Sequence, residues 1–144
     1  MTHISSRKLR PLATLALALA VLAPLAAPAQ TAPADMVGTW TAPPGGTISK
    51  AVIAKVGSGY TIHIWAPCSP TDCDWTTKPL TIYAPAVSVK VGKVGSAVFP
   101  QGFVTRTVVV TLQDATAPFL SVQVLSKFAP GDGRSNYATT QTLH

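Results

Sequence analysis

Residues 62–75 hold most of the side chains in this 144-residue chain that could do chemistry. They are both cysteines (Cys68, Cys73), two of the five carboxylates (Asp72, Asp74), two of the three tryptophans (Trp65, Trp75) and His63. Two thiols with four residues between them can close a loop as a disulfide, expected of an even cysteine pair in an exported chain. Closing so short a loop contributes about 2 kcal/mol by the chain-entropy estimate. The competing chemistry is a metal held by His63, Cys68, Cys73 and Asp72 or Asp74. The C-x4-C spacing is loose for zinc and there is no second cysteine pair, so no metal is assigned. Asp72 and Asp74 follow Ser-Pro-Thr, where aspartate accepts from turn N–H groups; capping is expected of them ahead of weak cation binding. Trp65 and Trp75 flank the loop, either packing at its base or walling a pocket in which their rings stack on a ligand.

The residue types of catalysis are present without their spacing. His63 stands alone in an apolar run. Ser58 lies in Gly57-Ser58-Gly59, which is turn chemistry and lacks the G-x-S-x-G pattern of a nucleophile elbow. Gly92-x-x-Gly95 has no helix after it and is not a phosphate loop. No carboxylate pair suggests glycoside hydrolysis. A hydrolase would require His63 gathered with Asp and Ser side chains. No catalytic residue is assigned, no cofactor is expected, and the chain is read as a non-enzyme.

The elements that position residues 62–75 read as strands. Met36–Thr41 is a first strand, ended by Pro43-Pro44-Gly45-Gly46. Thr47–Val56 and Tyr60–Ala66 alternate around Gly57-Ser58-Gly59, a hairpin pattern. Trp75–Tyr83 leaves the cysteine loop, with Pro79 marking an edge or bulge. Val87–Val91 alternates with Ser88 and Lys90 and predicts another strand. Gly92–Gly95 reads as a turn and Ala97–Val104 as a weaker strand. Arg106–Gln113, Phe119–Phe128 and Tyr137–Leu143 follow. Eight or nine short strands without a helical stripe predict an all-β fold, an antiparallel up-and-down barrel of about eight strands, with a sandwich as the alternative. Closure favours the barrel because it removes exposed strand edges.

Residues 1–29 have the grammar of a secretory signal peptide: Arg7, Lys8 and Arg10, then an apolar run from Leu12 to Ala23, then Ala27-Pro28-Ala29. The run is shorter than the ~20 residues of a spanning helix. Cleavage is expected near Ala29, with Ala32-Pro33-Ala34 a second possible cut. The expected organisation is a signal peptide over 1–29, a flexible linker over 30–35 and one barrel domain over 36–144. The expected destination is the periplasm or the medium. Three of the eleven basic residues lie in the leader, so eight remain against five aspartates and the formal charge falls from +6 to +3. The remaining lysines are scattered, which excludes a nucleic-acid footprint. No membrane span is expected in the mature chain.

Gly38-Thr39-Trp40 resembles the G-x-W opening of lipocalin-like and avidin-like barrels. In those folds the tryptophan closes one barrel end beneath a basic side chain from a late strand. The resemblance implies Arg106 or Arg134 as its partner here. Cys68-Ser69-Pro70-Thr71-Asp72-Cys73-Asp74-Trp75, with Ile62–Trp65 before it and Ser135-Asn136-Tyr137 near the end, resembles an uncharacterised family of small exported bacterial domains. That family has glycine after the tryptophan where this chain has Thr76, so the turn is expected to differ. Exported bacterial metalloprotease inhibitors are also small one-disulfide barrels, which insert a mobile N-terminal arm into the protease cleft. Gln30–Asp35 would be that arm, although the disulfide lies elsewhere.

The expectation is an exported binding module whose small ligand or protein partner sits at the open barrel end or against Trp65, Asp72, Asp74 and Trp75. A protease-inhibitor-like binder and a structural envelope protein are the alternatives.

Overall fold

The computed structural model describes residues 30–144; the leader expected over 1–29 lies outside them. Eight strands follow in chain order and each pairs antiparallel with the next: β1 (Gly38–Thr41), β2 (Lys50–Val56), β3 (Gly59–Ala66), β4 (Cys73–Tyr83), β5 (Val94–Gln101), β6 (Val104–Gln113), β7 (Phe119–Phe128) and β8 (Tyr137–Leu143). The sheet curls into a nearly closed up-and-down barrel. Its two ends meet where Thr41 and His144 exchange N–H···O bonds of 2.8 Å. Beside this pair the Gln141 amide bridges the seam, accepting from Thr47 and Ile48 N–H at 2.7 and 3.0 Å and donating to Ile48 O at 2.8 Å.

Period-two alternation explains which side chains fill the barrel. Ala51 and Ile53, Ile62 and Ile64, Ala97 and Phe99, Val108 and Val110, and Val122 and Val124 are buried and packed together. An eight-stranded barrel is just wide enough for side chains to fill, and this interior is filled. Among the described residues no helix is long and apolar enough to cross a membrane.

One pole is closed by the segment ahead of β1. Residues 30–35, expected to be a flexible linker, make hydrogen bonds to the barrel. Thr31 N–H donates to Lys90 O, and Gly92 N–H donates to Thr31 O, each at 2.9 Å. Gln30 Oε1 accepts from Ala84 N–H, and Ala34–Met36 forms a 3₁₀ turn that buries Met36 completely. Gly92 lets the β4–β5 connection close back on the end of β4, because a Cβ there would stand 2.1 Å from the Tyr83 carbonyl oxygen. Gln30–Asp35, the arm that the inhibitor resemblance implies, lies against its own barrel through these bonds.

Residues 84–93 correct a second expectation. Val87–Val91 is not a strand but part of the β4–β5 connection, and Val87 is fully exposed. Its alternating pattern finds no ladder because β4 turns directly onto β5, leaving only Val91 to bridge Thr31. Gly95, read as part of a turn, lies inside β5.

The β4–β5 pairing is short, joining only Thr81–Tyr83 to Val94–Ser96. Carried further, that register would set Pro79 opposite Val98 and Pro100 opposite Thr77. Neither proline has an N–H to give. The strands part there, toward the pole that carries the cysteine loop.

Candidate functional site

A bulge in β4 sorts the residues around the cysteine loop onto two faces. His63 pairs with Thr77 and Trp65 with Asp74, so Trp75 and Thr76 together oppose the single residue Ile64. An extra residue on one strand re-aims its neighbours. Asp74 and Thr77 both flank His63 on the outer face, while Trp75 turns inward and is only 6% exposed. Thr76 takes up the irregularity with φ of 71°, in the left-handed region that favours glycine. Its N–H donates to Asp74 Oδ1 at 2.6 Å, the local bond expected of an aspartate in a turn.

The outer face carries a polar chain. His63 Nε2 lies 2.6 Å from Asp74 Oδ1, and Nδ1 lies 3.0 Å from Thr77 Oγ1. With the carboxylate accepting from Nε2–H, neutral His63 has Nδ1 free to accept from the threonine hydroxyl. The Thr76 N–H, followed by His63, holds the Asp74 carboxyl below its ordinary value of 3.8. The imidazole lies parallel to the Trp65 indole with centroids 3.8 Å apart, and Lys50 Nζ stands 3.8 Å from the same indole centroid. Trp65 is thus engaged by its own neighbours. Asp72 accepts from the Ser49 hydroxyl at 2.5 Å, tying the loop to the start of β2.

The inner face opens at the pole where β4 and β5 part. Cys68 and Cys73 are joined by a disulfide, with Cα atoms 5.4 Å apart, and the Ser69–Pro70 peptide within that loop is cis. Beside the loop lies a cavity of about 510 Å³, walled by Pro67, the disulfide, Trp75, Phe103 and Arg106 and reached by Asp74. This volume is within the usual range for small-molecule sites. Trp75 meets Phe99 edge-on at 5.9 Å, and the Arg106 guanidinium lies 4.7 Å from the Trp75 ring centroid.

Arg106 sits between Val104 and Val108, both buried, so it occupies an inward position of β6. Its register partner on β7 is Ser126, which is 2% exposed. Arg106 Nε and Ser126 Oγ are both buried and neither has a protein hydrogen-bond partner. None of the ion pairs formed among the described residues includes Arg106.

Trp40 has different company from that implied by the G-x-W resemblance. Gly38 begins β1 opposite Ile53, and Trp40 is buried with Nε1 donating to Met36 O at 3.1 Å. Arg106 lies over Trp75 instead. Arg134 lies 4.3 and 4.5 Å from the Phe103 and Phe128 centroids and pairs with Asp132. Of the four residues expected to form a loop site, Trp75 and Asp74 reach the cavity, whereas Trp65 and Asp72 do not. Sequence reasoning missed Ser126, Phe103 and Thr77. Only Ser126 left a trace, as a hydroxyl at an inward position of an otherwise apolar strand. No family model, no curated protein and no solved structure matches the chain.

Proposed function

We propose that the chain is an exported, non-enzymatic binding module whose ligand enters the open pole of the barrel beside the Cys68–Cys73 loop. The observation that supports this reading is the cavity of about 510 Å³ beside the disulfide loop, where β4 and β5 part and a tryptophan, a phenylalanine and an arginine converge. The disulfide braces one wall, and the aromatic side chains of Trp75 and Phe103 provide apolar surface. Export rests on the leader pattern of residues 1–29 and agrees with the disulfide.

The neutral dye N-phenyl-1-naphthylamine tests the reading. Its fluorescence should rise with the wild-type protein and with Trp65→Ala, which alters the outer face. It should fall back in Phe103→Ala, which removes an exposed wall of the cavity from outside the core. Equal binding by wild type and Phe103→Ala refutes the site. Trp75→Ala is unsuitable for this test, because truncating a buried tryptophan costs about 3–5 kcal/mol of stability.

The hydrogen-bonded chain Thr77–His63–Asp74 favours a second reading, an acyl hydrolase using the outer face. Its test is p-nitrophenyl acetate turnover above buffer that disappears in His63→Ala.

A further inference from the structure

We infer that the open pole binds an organic carboxylate, with its apolar body against Trp75 and Phe103 and its oxygens accepting from the Arg106 guanidinium. The inference rests on the reading of this pole as the ligand site and adds the class of ligand.

Arg106 faces inward from β6 and lines this cavity, and its buried Nε–H has no acceptor in the protein. Buried polar groups are rarely left unpaired, and each such group asks for a partner. Arginine stays charged at any physiological pH, and its guanidinium fits the geometry of a carboxylate. Stacking on Trp75 holds the guanidinium plane while leaving its N–H edges free to donate. Asp74 reaches the same cavity, but its charge is already engaged: Oδ1 is held by Thr76 N–H and by His63, and Lys50 acts on it from nearby. Arg106 forms no ion pair among the described residues, and its surroundings are aromatic and apolar. A ligand with an apolar body and one anionic end complements both.

Such a carboxylate can belong to a free small acid or to the end of a peptide. 3-Phenylpropanoate represents the first and N-acetyl-Val-Phe with a free carboxylate the second, each compared with its amide. Binding is read by titration calorimetry and by the Arg106 Nε–H signal in ¹⁵N NMR. The acids should bind and shift that signal downfield, and the amides should bind at least about tenfold more weakly, as expected for loss of a charge-assisted bond. Which acid binds identifies the source.

Arg106→Gln, with its fold checked by circular dichroism, should remove the preference for acid over amide. Arg106→Lys keeps the charge without the Nε–H and should restore part of the preference. Equal binding of acids and amides to wild type overturns the carboxylate inference and leaves the pole as a site for neutral ligands. Failure of these four probes together with the neutral dye removes both readings.

Discussion

One side chain, Gln141, makes three hydrogen bonds across the barrel seam, and Gln141→Leu isolates its contribution. The amide makes three bonds to Thr47 and Ile48, at 2.7, 3.0 and 2.8 Å. At about 1 kcal/mol net per bond their loss costs about 3 kcal/mol. Ile48 is fully buried, so its N–H and C=O would face methyl groups and find no water. Leucine keeps nearly the same volume, which separates hydrogen bonding from packing. Gly46→Ala attacks the same place from the other side, since its Cβ would stand 2.8 Å from the Gln141 amide. Urea unfolding should show a lower midpoint with unchanged slope in both variants. Hydrogen exchange at the Ile48 amide should quicken in Gln141→Leu, because that N–H loses its acceptor. Thr139→Ala removes only the 2.9 Å hydroxyl contact to Thr47 and should cost about 1 kcal/mol or less. If Gln141→Leu changes stability by less than Thr139→Ala does, and Ile48 stays protected, closure resides in the Thr41–His144 pair and the reasoning is wrong.

The Asp74 carboxyl should titrate below 3.8 by carbon NMR, and His63→Ala should raise its pKa only partly, because the larger cause, the Thr76 N–H, remains. A depressed carboxyl pKa stabilises the fold above the unfolded value, and that contribution is lost as pH falls through the folded value. Acid unfolding of wild type should therefore begin at lower pH than that of Asp74→Asn. Thr76→Gly should raise stability by about 1 kcal/mol, because glycine enters the left-handed region without the Cβ penalty. A loss of stability on urea titration would show that the Thr76 side chain contributes more than its backbone costs.

Much of the fold was legible in the chain. Phe119–Phe128 and Tyr137–Leu143 have the strand limits expected of them, because clear turn residues bound both runs. Val87–Val91 has the alternation of a strand without being one, since alternation reports a repeating pattern and not the presence of a neighbour to pair with. The candidate site was legible in part. The cysteine loop announces itself by local spacing, and Trp75 by its position at the loop base. The distinction between Trp65 and Trp75 depends on a bulge set by pairing with β3. Arg106 and Ser126 are 20 residues apart and meet only through the β6–β7 register. The tryptophan partner of Arg106 could not be chosen from the chain alone, because Trp40 and Trp75 both offer a ring at a strand position.

The docking of Thr31 between Lys90 and Gly92 determines how the molecule can be displayed. Gln30 lies beside the β4–β5 connection, at the pole opposite the disulfide. An affinity tag, a fluorophore or a solid support attached on that side leaves the cavity pointing away from the attachment point. Biosensor chips loaded through the amino-terminal end would therefore present every copy with its entrance toward the flowing sample.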